Sequence, residues 1–422
     1  MLRPILLIIA VGAILVGLGW LAFKMVDEAG ETRGFSRVHG PVLTLDTHVD
    51  IPPTYTTMPE VDPGLETQLQ VDLPKMERGG LDAAFFIVYV GQTARTEENY
   101  AAAREAALVK FNAIHAMTDA LYPSRIGLAL TPADVVDIHG SGRKVAVIGI
   151  ENGYVIGKDL SLIEEYYDRG ARYMTLAHVG HNDIADSSMR RIDLGDEPAE
   201  HGGLSDFGRE VVKEMNRLGM MVDISHISHD AMMQAVALSE APAIASHSAT
   251  TALADHPRNL TDDQMRALAA KGGIAQIVAF STYVTADPGR TAAVTALRNQ
   301  IAEEQGVARF SFLAHGKLPE FREGMAEINR LYPRATLAQF VDHIDHAVKV
   351  MGIDYVGISS DFDGGGGVIG WDDASETANV TAELLKRGYT YEEIEKLWSG
   401  NFLRVWTEVD AVAARLQASA AN

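Results

Sequence analysis

Residues 145–151 read VAVIGIE, an apolar run that ends abruptly in Glu151. A strand that is buried on both faces stays apolar until it leaves the core, as the strands of parallel sheets do. Six further apolar stretches end in a residue that can bind a metal or transfer a proton: 43–50, 173–178, 221–226, 243–247, 273–276 and 355–361. The apolar run 83–90 ends without such a residue and brings the candidate strands to eight.

Eight apolar runs, seven of which end in a polar residue of this kind, predict an α/β fold, a (β/α)8 TIM-like barrel. In such a barrel the strand ends converge on one rim, where the active site lies. Helices with apolar residues at three- and four-residue spacing are predicted between the strands, for example at 206–218, 229–238, 262–271 and 337–351. Ser205, Ser228 and Thr261 precede three of these helices as N-caps. Because no linker splits the chain, we expect one catalytic domain over residues 40–415.

The composition restricts the classes of partner and of chemistry. A net charge of −21 argues against a nucleic-acid partner, which would need a basic surface. The absence of cysteine excludes disulfides, thiolate metal ligands, a cysteine nucleophile and a lipid-modified N-terminal cysteine.

Residues 4–23 form an apolar run of nearly membrane-spanning length. The run is long for the core of a signal peptide, and no clear Ala-x-Ala cleavage site follows it. Residues 1–30 are therefore predicted to form a hydrophobic helix that contacts the membrane as an uncleaved anchor, with a cleaved signal as the alternative. The catalytic domain is expected to be exported, to the periplasmic or extracytoplasmic face of the inner membrane, or to be secreted if the segment is cleaved.

His48 and Asp50 lie two residues apart at the end of the first predicted strand. Because side chains alternate along a strand, both point the same way, into the mouth of the barrel. This arrangement predicts a chelating pair for a divalent cation, and a hydrogen-bonded polar pair is the alternative. Asp46 shares this face but lies deeper, where a buried hydrogen bond or a supporting role is expected.

Glu151 would cost several kcal/mol as an unpaired buried carboxylate, so it is expected to face a cation, with a salt bridge to arginine as the alternative. His226 and His247 end two successive predicted strands, each after a serine, and imidazole is the usual nitrogen ligand of zinc. Three histidines and two carboxylates from four strands suit a two-metal hydrolytic site, in which the ions lie ~3.5–4 Å apart.

From about residue 43 to 406 the chain resembles the membrane dipeptidases (renal dipeptidase-like metallopeptidases), a branch of the amidohydrolase-like barrels. No single motif decides this resemblance; seven of them in the family's order make it specific. They are DTHVD (46–50), GIE (149–151), LAH (176–178), DISH (223–226), ASHS (245–248), HPRNL (256–260) and GISSDFDG (357–364).

The resemblance implies two zinc ions per chain, bridged by Glu151. His48 and Asp50 would bind the first ion, and His226 and His247 the second. His178 would lie over the scissile carbonyl, Arg258 would bind the substrate carboxylate, and Asp361 would carry the proton.

The residue types agree with these roles, although alternatives stay open. His178 suits a donor to a developing oxyanion, with a core histidine as the alternative. The guanidinium of Arg258 matches a carboxylate with two hydrogen bonds, with a surface salt bridge as the alternative. Asp361 suits general acid–base catalysis, with metal ligation as its main rival. Structural or surface positions are expected for other histidines, including His229, His343 and His346. His181 and Asp183 follow His178 in a predicted rim loop, where lining of the pocket is an open alternative.

The predicted function is zinc-dependent hydrolysis of dipeptides by a metal-bridging hydroxide, including dipeptides with a C-terminal D-residue. The alternatives are another binuclear barrel hydrolase, of the lactonase or deaminase type, and an inactive membrane-tethered binding protein. Asn152 and Tyr154 stand where many relatives have glycine and a histidine. This difference leaves the substrate preference and a homodimeric assembly open. Mammalian relatives carry disulfides and a C-terminal lipid anchor. Because this chain has neither cysteines nor a hydrophobic stretch after Trp406, any anchoring is expected at the N-terminus.

Overall fold

The computed structural model describes residues 39–307, 310, 315–316 and 318–420, and a parallel sheet forms its centre. The strands of this sheet are β1 (Leu45–Asp50), β2 (Ala83–Tyr89), β3 (Ile126–Leu128), β4 (Lys144–Glu151), β5 (Ala171–Thr175), β6 (Met221–Asp223), β7 (Ile244–Ser248), β8 (Ile274–Val278) and β9 (Val356–Ser359).

The eight main strands pair in the order β1-β2-β4-β5-β6-β7-β8-β9, and each pair is parallel. The two ends of this path meet, because Val49 forms a parallel bridge with Phe362, just beyond β9. There the backbone N–H of Asp50 donates to the carbonyl of Phe362 at 2.9 Å. All eight predicted strands are present, so the predicted parallel (β/α)8 barrel is confirmed.

Two details of the strands differ from the prediction. The three-residue strand β3 pairs with β4 outside the barrel path and is too short to produce a recognisable apolar run. Gln276 does not end its strand but lies in the middle of β8, buried inside the barrel. A Cβ added to Gly357 of β9 would lie 1.8 Å from Oε1 of Gln276. The side chain of Gln276 therefore packs against the neighbouring strand, and Gln276 is not a rim residue.

Helices connect the strands and cover the outside of the barrel. They are α1 (Leu73–Gly79), α2 (Glu97–His115), α3 (Pro132–Gly140), α4 (Ser161–Asp168), α5 (Asp206–Leu218), α6 (His229–Leu238), α7 (Asp262–Ala270), α8 (Ser281–Val284), α9 (Pro288–Glu304), α10 (Pro319–Leu331), α11 (Leu337–Met351), α12 (Thr377–Lys386), α13 (Tyr391–Glu395) and α14 (Asn401–Ala420). Single π-helical turns occur at Ala116–Leu121 and Lys396–Gly400, and short 3-10 helices at Pro59–Val61, Gly153–Ile156, Ile192–Leu194, Ile353–Tyr355 and Ala374–Glu376.

The predicted N-caps are confirmed. The side chains of Ser205, Ser228 and Thr261 each accept a hydrogen bond from the backbone N–H three residues later. These bonds satisfy N–H groups that the first turn of a helix leaves without intrahelical partners. Helices α5, α6 and α11 have the predicted bounds, and α7 ends one residue earlier than predicted.

The C-terminal helix α14 closes the end of the barrel where the strands begin. Phe402 and Trp406 of α14 are buried in one cluster with the first residues of several strands, such as Leu45 and Ala83. The ring of Phe85, inside the barrel, lies 5.1 Å from the ring of Phe402, centroid to centroid. Because α14 fills this end with apolar side chains, only the carboxyl ends of the strands are left for a polar site.

The predicted membrane segment, residues 1–30, lies outside the described residues. Among the helices that the structure does describe, none is both long and apolar enough to span a bilayer. Export and membrane contact through residues 1–30 therefore stay predictions from the sequence.

Candidate metal centre and active site

The eight predicted site residues all lie at the carboxyl ends of barrel strands or in the loops that follow them. Strand β1 carries His48 and Asp50, β4 ends in Glu151, and β7 contains His247. The other four follow strands β5, β6, β7 and β9: His178, His226, Arg258 and Asp361. Since the strands are parallel, their carboxyl ends share one rim, and side chains far apart in sequence come together there.

Glu151 lies at the centre of this group. Its Oε1 atom is 3.0 Å from Nε2 of His226 and 3.3 Å from Nε2 of His247. The Nε2 atoms of His48 and His178 are each 3.7 Å from the same oxygen. Four imidazole nitrogens from four strand ends therefore face one carboxylate oxygen, with no arginine among these contacts, as expected for a shared metal ligand.

Among the residues that the structure describes, three sets of donor atoms are close enough to surround a cation, with the atoms of each set within 4.8 Å of one another. The sets are His48, Glu151 and His247; Glu151, His178 and His226; and His48, Asp50 and Asp361. Nε2 of His48 is buried and has no hydrogen-bond partner within the described part of the chain. Such an orphaned nitrogen, beside carboxylates and further imidazoles, fits a divalent metal of the zinc type.

Burial and charge shift the pKa values of these groups in different directions. Burial opposes the ionisation of Glu151, but His178 and His48 outweigh it and hold the pKa of this carboxyl well below its usual range. Burial likewise disfavours the charged form of His48, yet the charge of Glu151 raises its pKa to about 9. For His226 and His247 burial dominates, and their pKa values lie well below the usual value.

The pKa values of the two aspartates at the site, Asp50 and Asp361, are both raised. Burial, followed by the charge of Glu151, raises the pKa of Asp50 to about 6. Burial also raises the pKa of Asp361 well above its usual value, with Asp50 and Glu151 acting in the same direction. Several carboxyl groups thus compete for few positive charges. A bound cation would stabilise their ionised forms, and protons would be released when it binds.

The backbone is strained around the site. Five non-glycine residues in the described part of the chain have positive φ angles, and four of them lie at this rim: Asn152, His226, Asp361 and Asp363. Such conformations cost about 1–3 kcal/mol each and cluster at functional sites. Asn152 has a φ of 82°, and asparagine tolerates positive φ better than most residues.

Arg258 lies beside the histidines and is 3% exposed. Its guanidinium donates to the carbonyl of His247 at 2.8 Å and lies 5.3 Å from the centre of the Tyr283 ring. A cavity of about 220 Å³ borders both Arg258 and His226. Arg258 is therefore not a surface salt bridge, the alternative left open by the sequence, but a buried cation that lies against His247.

Sequence reasoning missed several residues of this rim. The ring of Tyr89 lies 4.8 Å from that of His178, whose side chain is 19% exposed. A Cβ on Gly364 would lie 2.2 Å from Oδ1 of Asp361 and 2.4 Å from Oδ2 of Asp50, so only glycine fits there. A strand-end position could have indicated Tyr89, whereas the constraint on Gly364 depends on contacts that no local pattern records.

The residues predicted to be structural make structural contacts. Asp46 is buried and its Oδ1 accepts from the backbone N–H groups of His48 and Ser360, as expected for a supporting residue. His343 is buried, with Nδ1 2.8 Å from the hydroxyl of Thr250. His181, in the predicted rim loop, makes a structural contact as well, because its Nδ1 accepts from the backbone N–H of Ser187 at 2.9 Å. His229 is exposed at the start of α6, as predicted for a surface residue.

Comparison with known proteins identifies relatives along almost the entire chain. Residues 32–420 match the family model of the membrane dipeptidases, peptidase family M19. The dipeptidase tcpJ of Claviceps purpurea is 32% identical over 349 residues, which cover 82% of this chain and 70% of that protein. The dipeptidase aclJ of Aspergillus oryzae is 31% identical over 353 residues, which cover 82% of this chain and 72% of its relative.

Comparison with solved structures identifies proteins of similar fold. The crystal structure of the probable dipeptidase PvdM from Pseudomonas aeruginosa has a TM-score of 0.80 at 34% identity, covering 91% of this chain and all (100%) of that one. A metallopeptidase from Rhodobacter sphaeroides has a TM-score of 0.67 at 21% identity, covering 87% of this chain and 99% of that one, a likeness of fold alone. The chain therefore belongs to the membrane dipeptidase family and is a hydrolase of the metallopeptidase class.

Proposed function

We propose that this chain is a zinc dipeptidase with two metal ions bridged by Glu151. The observation that carries the proposal is the position of Glu151 Oε1, which lies 3.0–3.7 Å from the Nε2 atoms of four histidines. His48 and Asp50 would complete one metal position, and His226 and His247 the other. Bound zinc would supply an activated water and polarise the peptide carbonyl.

The other rim residues have roles that follow from their positions. His178 is the most exposed of the four histidines around Glu151, so it can donate a hydrogen bond to the oxygen of a bound carbonyl as negative charge develops there. Asp361 is buried beside His48 and Asp50, with donor atoms of the three residues within 4.8 Å of one another, so its carboxyl group borders the proposed metal centre. It can therefore accept a proton and pass it to the leaving amine.

The proposed substrates are dipeptides with a free C-terminal carboxylate, including those with a C-terminal D-residue. Arg258 supports this substrate class, because it is a buried cation whose guanidinium lies against His247, one of the proposed metal ligands. The related metallopeptidase from Rhodobacter sphaeroides was crystallised with a phosphinate mimic of the dipeptide L-Ala-D-Ala. The ligand of that protein of similar fold is the reason for including dipeptides with a C-terminal D-residue in the proposal.

Metal content and substrate range test this proposal together. After mild dialysis, the purified protein is expected to retain about two zinc ions per chain by elemental analysis, because three histidines and two carboxylates exceed the four ligands of one tetrahedral zinc. It is expected to hydrolyse L-X-L-X and L-X-D-X dipeptides, and chelation should abolish this activity. A fully active protein with one ion per chain would contradict the binuclear site, and an inactive two-metal protein would contradict the substrate class.

The Arg258→Lys variant is expected to lose about tenfold or more in kcat/KM, because an ammonium cannot reproduce the two parallel hydrogen bonds of a guanidinium to a carboxylate. For the same reason, a C-terminally amidated dipeptide is expected to be a poor substrate of the parent enzyme. Steady-state kinetics on the free acid and the amide measure both effects. Arg266→Lys, at an exposed arginine paired with Asp262 and Asp263, is the matched control. Equal turnover of the free acid and the amide would contradict the proposed binding of the substrate carboxylate by Arg258.

A further inference from the structure

We propose that two buried hydroxyl groups, those of Tyr173 and Ser246, act as positioning groups that fix the tautomers of His48 and His247. Each hydroxyl accepts the Nδ1–H of one histidine and so leaves its Nε2 lone pair facing Glu151. The inference rests on the proposed role of these histidines as ligands of two different metal ions. It assigns a separate supporting residue to each metal position.

The argument for Tyr173 depends on the fact that a hydroxyl group has one proton. The Tyr173 hydroxyl lies 3.0 Å from the backbone carbonyl of Thr47 and 2.9 Å from Nδ1 of His48. A carbonyl oxygen can only accept, so the hydroxyl proton must be donated to Thr47. The hydroxyl oxygen then accepts from His48, which must carry its proton on Nδ1. Nε2 of His48, 3.7 Å from Oε1 of Glu151, is thereby left as the metal-binding atom.

The absence of a side chain at Gly149 allows the ring of Tyr173 to extend from β5 to β1. Tyr173 belongs to β5 and is completely buried, whereas His48 lies on β1. The ring passes over Gly149 of β4, where an added Cβ would lie 2.4 Å from the ring. The ring of Phe85 packs against the ring of Tyr173, at a centroid distance of 5.1 Å. Gly149 and Phe85 therefore define a slot for this ring, and the hydroxyl group has a fixed position.

The same reasoning applies to Ser246. Its hydroxyl lies 2.7 Å from Oδ2 of Asp223 and 2.7 Å from Nδ1 of His247. Asp223 is buried, and its oxygens also accept from the backbone N–H groups of Ser225 and Ser246 and from the hydroxyl of Thr175. A carboxylate surrounded by donors acts as an acceptor, so Ser246 donates to Asp223 and accepts from His247. Nε2 of His247, which lies 3.3 Å from Oε1 of Glu151 and 2.8 Å from Nε2 of His226, then carries the lone pair that can bind metal.

His226 shows that this support is selective. Its Nδ1 atom is buried and has no hydrogen-bond partner in the part of the chain that the structure describes, while Nε2 lies 3.0 Å from Oε1 of Glu151. One histidine of each proposed metal position thus has its tautomer set by a hydroxyl group, and His226 does not. Groups that orient ligating histidines in this way are worth about 10–100-fold in metal affinity.

Zinc affinity measured by chelator competition on the full chain tests the proposal. Tyr173→Phe is expected to weaken one of the two bound zinc ions by about 10–100-fold, and Ser246→Ala the other by a similar factor. The variants His48→Ala and His247→Ala, each retaining one zinc, identify the position affected. In the His48→Ala variant, adding Ser246→Ala should lower the affinity for the remaining zinc ion, and adding Tyr173→Phe should not. In the His247→Ala variant, adding Tyr173→Phe should lower that affinity, and adding Ser246→Ala should not. The proposal is contradicted if both hydroxyl variants bind both ions like the parent.

Matched controls separate this role from a loss of packing. Tyr166→Phe removes another buried hydroxyl, which donates to the carbonyl of Val155, and Ser239→Ala removes one that contacts Asn216. Both are expected to leave zinc affinity unchanged, and weakening by these controls equal to that in the site variants would overturn the proposal.

A second measurement keeps the proposal distinct from the proposed function. In NMR spectra of the zinc-loaded protein, slowly exchanging Nδ1–H protons are expected for His48 and His247. Tyr173→Phe should accelerate exchange of the first proton only, and Ser246→Ala of the second only. If His48→Ala still binds two ions, the assigned ligand set is wrong. Unchanged exchange in both hydroxyl variants, with zinc binding intact, overturns the tautomer assignment alone.

Discussion

Replacing Glu151 by glutamine is expected to weaken both metal positions together and to reduce kcat/KM by about 10³-fold or more, the scale on which electrostatic stabilisation of a transition state acts. Glutamine keeps the size of the side chain but removes its charge and one acceptor oxygen. Its amide would place either an N–H₂ group or a neutral oxygen against the Nε2 atoms of His226 and His247, which now lie 3.0 and 3.3 Å from Oε1. Neither arrangement can bridge two cations.

Elemental analysis and kinetics on the same preparation measure this effect. Glu165→Gln is the control, because Glu165 is a carboxylate of helix α4 that is bonded to Arg104 and Arg169 and is not one of the residues around the proposed metal centre. It should retain the parent metal content and rate. If Glu151→Gln loses one zinc ion and keeps the other at parent affinity, Glu151 belongs to a single metal position and the bridged arrangement is wrong.

Asp361→Asn is expected to keep the metal content while reducing kcat by about 10²–10⁴-fold, the usual worth of a general acid–base group. Burial raises the pKa of the Asp361 carboxyl, with Asp50 and Glu151 acting in the same direction, so this group is suited to carry a proton. An amide cannot transfer that proton. Asp361 has a φ of 58°, and asparagine adopts this left-handed conformation readily, so the backbone should be preserved.

Metal ligation is the rival role for Asp361. One of its oxygens lies in a set with His48 and Asp50 whose donor atoms are within 4.8 Å of one another. Ligation predicts that Asp361→Asn loses metal together with activity. Zinc content and kcat are therefore measured on one preparation, with Asp354→Asn, an exposed carboxylate paired with Lys396, as control. A metal-depleted variant, or a fully loaded one with a near-normal rate, would contradict proton transfer.

The succession of the eight barrel strands, and the eight predicted site residues at or after their carboxyl ends, could be identified from the sequence. Each main strand is an apolar run, because both of its faces are buried, and such a run is visible without knowledge of its neighbours. Helices such as α5 and α11 follow from local apolar spacing and from a cap, which act within a few residues. The same locality explains why the strand-end residues, from His48 to Asp361, could be selected before their distances were known.

Only the tertiary structure decided how these residues meet. The position of Gln276 within β8, the slot that Gly149 leaves for Tyr173, and the close approach of Gly364 to Asp361 all depend on strands far apart in sequence. The hydroxyl of Tyr173 reaches His48 across 125 residues of chain, and such a contact leaves no periodic trace in either segment. Local patterns record which face of an element is buried. Distances between donor atoms, and hence the tautomers and proton affinities at the rim, arise only when the barrel closes and brings its strand ends together.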